Sequence, residues 1–164
     1  MICFDPFKNL NIIPMGDKIS ISPCSYSPGT LVDTIDFQNS TYLNDIRLTW
    51  LSGEFPSACS NCKQDELTGD SRRIGSNKRY IANGDDNTDI DLIGIDYWIG
   101  DLCNLRCAIC GPGNSSAWKE ELSKTIPIQK MKINKAWINL DLNKIKFIHF
   151  NGGEPLLNKE HVTF

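Results

Sequence analysis

No apolar run in this sequence approaches the roughly 18 residues that cross a membrane, so no membrane partner is expected. A basic excess is missing too. Seventeen Lys and Arg stand against 20 Asp and Glu, a net charge of −3, whereas a general nucleic-acid binder shows the opposite balance. The one basic stretch, Arg72-Arg73 to Lys78-Arg79, has acidic flanks and reads as a solvated loop or helix face. There is no low-complexity tract and no fixed-period repeat; 12 Gly and 8 Pro are scattered as turn markers. Met1-Ile2-Cys3-Phe4-Asp5 lacks a basic region leading into an apolar core, so no signal peptide is expected and the cytoplasm is the expected compartment. The sequon-like Asn39-Ser40-Thr41 and Asn114-Ser115-Ser116 then carry no glycan.

What the sequence does have is cysteine. Seven occur in 164 residues. In a reducing compartment such a count points to metal or redox chemistry rather than disulfides, and the odd number would leave one thiol over from any pairing.

The pattern divides near Asn83-Gly84-Asp85-Asp86-Asn87, giving a small α+β cysteine-bearing segment (1–84) and a second, α/β segment (85–164). In the first, Leu10–Ile13 and Lys18–Ser22 read as a hairpin around Pro14-Met15-Gly16-Asp17, with Ile19 and Ile21 alternating against Lys18, Ser20 and Ser22. Asn39 or Ser40 caps a helix with apolar positions Leu43, Ile46, Trp50 and Leu51, stopped by Gly53 and Pro56. Cys59-Ser60-Asn61-Cys62 follows and leads into a polar helical stretch. In the second segment Ile90–Ile99 reads as a buried strand that empties into the loop Gly100–Cys110. Ser115 or Ser116 caps a short helix bearing Glu120 and Glu121. An irregular stretch with Pro127, Trp137 and Leu140 then reaches a second buried strand, Ile145–Phe150, closed by Asn151-Gly152-Gly153-Glu154-Pro155. Strand, helix, strand predicts a parallel crossover unit, with chemistry on the loops at the strands' carboxyl ends.

Cys103, Cys107 and Cys110 share one loop with spacing Cys-x3-Cys-x2-Cys. Three thiolates from one short loop hold three irons of a cubane and leave the fourth open to a substrate or cofactor. This triplet, with Gly152-Gly153-Glu154-Pro155 after the next strand, resembles the radical S-adenosylmethionine (SAM) superfamily. The resemblance implies a [4Fe-4S] cluster on the triplet and SAM on its open iron, with the SAM amino group held at Gly152, Gly153 and Glu154. Glutamate is a charge-assisted acceptor for an ammonium, and glycines allow close backbone approach. It also implies reductive SAM cleavage to a 5′-deoxyadenosyl radical, hydrogen abstraction from a substrate, and a one-electron donor such as a flavodoxin or ferredoxin. Ile109 stands where the family often has an aromatic residue against adenine; packing is retained there and stacking is not. Cys3, Cys24, Cys59 and Cys62 resemble the twitch or SPASM-type auxiliary modules of radical SAM maturases. That likeness implies a second iron–sulfur cluster and a peptide or protein substrate, although in those families the module follows the barrel.

Plainer readings stand beside these. Cys59-x2-Cys62 is also half of a four-cysteine zinc site. His149 reads as core-adjacent or turn-facing, and His161 as exposed on a polar helix. Trp50 and Trp118 suit helix packing, Asp96 and Asn104 suit structural hydrogen bonds to backbone, and Arg106 is either exposed or tunes cluster charge. The family core is a partial (β/α)6 barrel, of which residues 85–164 supply only the start, with a helix beginning near Asn158. The sequence-level expectation is therefore the front portion of such an enzyme, completed elsewhere in a longer or complementing C-terminal chain. The alternative is a non-catalytic iron–sulfur or zinc module.

Overall fold

The computed structural model describes residues 1–125 and 140–159. Strands β1 (Asn9–Met15) and β2 (Lys18–Ser22) form the expected hairpin, turning at Gly16, whose φ of 67° suits only glycine comfortably. A short strand, β3 (Thr30–Val32), adds antiparallel to β2. It is too short and too exposed to show in the sequence pattern. Strands β4 (Gly94–Trp98) and β5 (Phe147–Asn151) pair in parallel, as a crossover unit requires. The full order is β3-β2-β1-β4-β5, a mixed sheet in an α/β architecture. Its seam is the parallel pair of β1 and β4, with Asn9 opposite Gly94 and Ile12 opposite Tyr97. One sheet therefore runs across the division expected at residue 84.

Period-two alternation gives the sheet two unlike faces. Leu10, Ile12, Ile19, Ile21, Ile95 and Tyr97 form a dry face, none more than 3% exposed. Helix α2 (Thr41–Leu51) covers it with Leu43, and each such side chain contributes about 1.5–3 kcal/mol by burial. The opposite face carries Asn9, Asn11, Asp96 and Asn151, with His149 opposite Asp96 in register.

The remaining helices hold that polar face. A four-residue helix α1 (Asp5–Lys8), with Pro6 in its first turn, leads into β1. The polar helix expected after Cys62 is broken at Gly69 (φ 108°) into α3 (Ser60–Asp65), a 3₁₀ turn and α4 (Arg72–Asn83). Ser40 caps α2 by accepting from Leu43 N, and Ser71 caps α4 by accepting from Ile74 N at 3.3 Å. Helix α4 lies over the amino-terminal half of the polar face, where Tyr80 packs against Phe147 at 6.1 Å between centroids and Arg72 reaches Asp96 at 2.8 Å. The expected solvated basic face is thus corrected for Arg72 and Arg73, while Lys78 and Arg79 are exposed. Arg72 is clamped between the buried Asp5 and Asp96, and Arg73 is bound to the half-buried Glu66 at 2.6 Å.

Strand β4 begins at Gly94 rather than Ile90, which is 37% exposed. Helix α5 (Ser116–Leu122) is capped by Ser115. Leu140 packs against the core, whereas Pro127, Trp137 and His161 lie outside the described residues. A 3₁₀ turn, Pro155–Leu157, precedes Asn158, and the helix expected from there falls outside the described residues.

Candidate metal centres

Cys3, Cys24, Cys59 and Cys62, up to 59 residues apart in sequence, line one small cavity. They arrive on three separately anchored pieces of chain. The Met1–Phe4 segment is pinned to α4: Asn77 Nδ2 donates to Ile2 O at 2.6 Å and Arg73 Nη1 to Met1 O at 2.7 Å. Cys24 follows β2, its carbonyl accepting from Ser22 Oγ at 2.9 Å. Cys59 and Cys62 flank the start of α3, tied to the hairpin end by Ser27 Oγ donating to Ala58 O at 3.1 Å and Asn61 Nδ2 to Tyr26 O at 3.2 Å.

Burial pushes all four thiols up, Cys24 to about 12 and Cys59 to about 11. Asp5 adds to the rise at Cys24, while Trp50 acts against it at Cys59. Trp50 Nε1 is buried without an oxygen or nitrogen partner beside this cavity, so a sulfur ligand is what its N–H can serve. The donor set, four cysteines and one orphaned N–H, fits a thiolate-bound group that needs hydrogen bonds to sulfur. Trp50 therefore does more than pack its helix, though it also stacks on Phe55 at 4.5 Å. Among the described residues, no three Cys, His, Asp or Glu side chains close around a single ion.

The second set sits at the other end of the strands. β4 delivers the loop carrying Cys103, Cys107 and Cys110, of which Cys107 is exposed and the others are half-buried. Helix α5 secures that loop. Ser116 Oγ donates to Cys103 O and accepts from Cys103 N, both at 3.0 Å; Ser115 Oγ donates to Leu105 O at 2.7 Å. Trp118 Nε1 donates to Cys107 O at 3.1 Å, so this tryptophan holds the cysteine loop rather than a helix interface. Leu105 N points at Cys103 Sγ at 3.4 Å, the backbone N–H to sulfur contact that an iron–sulfur ligand uses. Arg106 pairs with Glu121 at 2.8 Å. Asp101 pairs with Lys119.

The glycines after β5 have a use beyond closeness to a ligand. Gly153 N donates to Gly100 O and Glu154 N to Leu102 O, both at 2.8 Å, which stitches the second turn onto the cysteine loop. A Cβ at Gly152 would meet Gly100 O at 2.1 Å and one at Gly153 would meet Leu102 O at 2.3 Å. Glu154 caps the next 3₁₀ turn through Leu156 N at 3.1 Å and keeps its other carboxylate oxygen available. Ile109 is 97% exposed beside Cys110. Asn104 is exposed on the same loop.

Two residues take places other than those the sequence suggested. Asp96 does not serve the backbone; it binds Arg72 and Asn9 Nδ2 (3.2 Å) and lies 3.4 Å from His149 Nδ1. His149 is not core-adjacent: its side chain is 63% exposed on the polar face. The period-two register with Asp96 was the only sequence signal for either, and it needed the strand pairing to be known.

Residues 95–163, which include Cys103, Cys107, Cys110 and Gly152–Glu154, match a family model described as a 4Fe-4S single cluster domain. A 69-residue stretch, 40% of this chain, is 36% identical to a GTP 3′,8-cyclase of Clostridium acetobutylicum. The match spans a fifth (20%) of that protein's length. No solved structure gives a significant match. These likenesses support an iron–sulfur protein in the segment where the sequence resembles the radical SAM superfamily. No described helix is long and apolar enough to cross a membrane.

Proposed function

We propose that this chain is the cluster-bearing portion of a radical SAM enzyme acting on a peptide or protein, with an auxiliary cluster module at 1–84 and the first strands of the (β/α) barrel in 85–164. The observation that carries the reading is the double backbone stitch from Gly153 and Glu154 to the Cys103 loop. It makes two motifs, some 40 residues apart in sequence, into one rigid site at the carboxyl ends of parallel strands. In this reading Cys103, Cys107 and Cys110 hold a [4Fe-4S] cluster, and the free oxygen of Glu154 takes the SAM ammonium. Ile109, exposed beside the third cysteine, packs on adenine. The chemistry such a site supplies when loaded is one-electron cleavage of SAM and hydrogen-atom abstraction from substrate. The chain's own part is to orient: α5 fixes the cysteine loop, and the glycine pair fixes Glu154 against it.

At the four-cysteine cavity the proposed group is a second cluster, with zinc on the same four thiolates as the other reading. Trp50 Nε1 is placed to donate to a ligand sulfur there. A flavodoxin or ferredoxin is the proposed electron donor.

The test is anaerobic purification, iron and sulfide analysis, and dithionite reduction with SAM. Release of 5′-deoxyadenosine and methionine is the expected result. Cys107→Ala should abolish it while the N-terminal cluster's spectrum persists, and Glu154→Gln should weaken SAM binding with both clusters intact. A fully iron-loaded wild type that cleaves no SAM would sink the enzyme reading; zinc in the N-terminal site would sink its auxiliary-cluster part.

A further inference from the structure

Below the SAM-side turn, on the same polar face, a hollow of about 300 Å³ opens between α4 and strands β4 and β5. Arg72, Arg79, Asp96 and His149 line it, with Gly75 and Ser76 of α4. Of the arginines in the described residues, Arg79 alone has no carboxylate or carbonyl partner: Arg47 binds carbonyls, and Arg72, Arg73 and Arg106 bind carboxylates. Its guanidinium instead lies over the Phe147 ring, 4.1 Å from the centroid, and 5.3 Å from that of Tyr80. Stacking uses the face of a guanidinium and leaves its N–H edge for a planar anion. The ring is itself accommodated by a missing side chain, since a Cβ at Gly94 would meet Phe147 at 2.1 Å. Arg72 is engaged by two carboxylates, Asp5 and Asp96. Arg79 is the guanidinium of the hollow that no carboxylate touches.

His149 completes the arrangement. Asp96, 3% exposed and held by Arg72 and Asn9, lies against Nδ1 of the imidazole and so directs Nε2 away from itself. Nε2 is left to hydrogen-bond an acid group in the hollow. His149 precedes Gly152 by three residues, roughly 10 Å along a strand.

Resting on the radical SAM reading, we propose that this hollow is a substrate subsite for an acid group, a carboxylate or a phosphate, held by Arg79 and by His149 in the orientation Asp96 sets. A group anchored there extends the rest of its molecule along the polar face toward the SAM-side turn. A side chain or terminus of an acidic peptide and a phosphorylated group share this chemistry.

Calorimetric titration of the anaerobically purified protein with succinate and, separately, with inorganic phosphate tests it, with SAM binding measured on the same preparation. Saturable binding of at least one probe in the millimolar range is expected, and the tighter probe names the class. Arg79→Gln should weaken it roughly tenfold or more. Gly75→Leu should abolish it by filling the hollow. A Cβ at Gly75 meets nothing within 4 Å, and removing a helix-interior glycine favours the fold by up to about 1 kcal/mol, so an unchanged melting temperature and iron content will show that the variant is intact. Absence of saturable binding while SAM still binds would overturn the subsite and leave the enzyme reading standing. Binding that survives both substitutions would overturn it as well, by placing the anion elsewhere. Anion binding lost in both variants, in a protein that does not bind SAM, would keep the site and remove the reaction it is proposed to serve.

Discussion

At the scale of single residues the two proposed metal sites are held by contacts that one substitution can remove. Gly152 has φ 123° and faces Gly100 O, so Gly152→Ala must push the turn off the cysteine loop. The expected outcome is loss of the Cys103-loop cluster with the four-cysteine site intact, read from iron per chain and the low-temperature EPR of the reduced protein. Trp50→Phe keeps an aromatic ring beside Phe55 and removes the orphaned N–H along with part of the indole. Hydrogen bonds to sulfur stabilise the reduced, more negative cluster. The reduction potential of the N-terminal cluster should therefore fall in an EPR redox titration while the other cluster's stays in place; an unmoved potential would mean Trp50 serves packing alone. The cysteines themselves and the Gly-Gly-Glu turn were legible in the sequence because spacing is local information. The partnership of Trp50 with Cys59 was not, because it depends on how α2 meets α3.

At the scale of elements, α4 is the part whose sequence misleads most. Read alone, Arg72-Arg73 and Lys78-Arg79 make a basic surface. In the fold, the first turn of the helix sends Arg72 into ion pairs with Asp5 and Asp96 and Arg73 into one with Glu66. Burial raises Asp5, with Arg72, Tyr80 and Ser76 pulling against the rise. Removing the cation strands these carboxylates, and breaking a buried pair from one side costs about 3–5 kcal/mol. Arg72 keeps a 27% exposed side chain, which places Arg72→Met toward the lower value, about 3 kcal/mol. Urea unfolding of the apo protein measures it, and a change below about 0.5 kcal/mol, the range of ordinary surface substitutions, would show that the array is solvated after all. Helix α5 makes a smaller and more local prediction. Ser115 both caps the helix and holds Leu105 O, so Ser115→Ala should cost about 1 kcal/mol and loosen the cysteine loop, seen as faster loss of iron to a chelator.

At the scale of the whole molecule the four-cysteine site couples folding to pH. In the apo fold the thiols' pKa values lie above the ordinary 9.0, at about 12 for Cys24 and about 11 for Cys59, chiefly through burial. A group raised on folding contributes its full stability below its unfolded pKa and loses it as the pH climbs to the folded one. Apo protein should therefore lose stability from about pH 9 upward, continuing to about pH 11–12. Loaded protein, whose thiolates are already deprotonated by their ligand, should not; paired thermal melts across that range check it. By itself the sequence determined the hairpin, the parallel crossover, the capped helices, the cysteine triplet and the Gly-Gly-Glu turn. Each rests on spacing, propensity or capping within a few residues. Only the tertiary structure decided that β1 joins β4 in one sheet, that four cysteines drawn from three stretches of chain meet, and that Asp96 and His149 stand side by side. Those depend on which strands pair and in what register, and a one-residue slip would turn every one of their side chains to the other face.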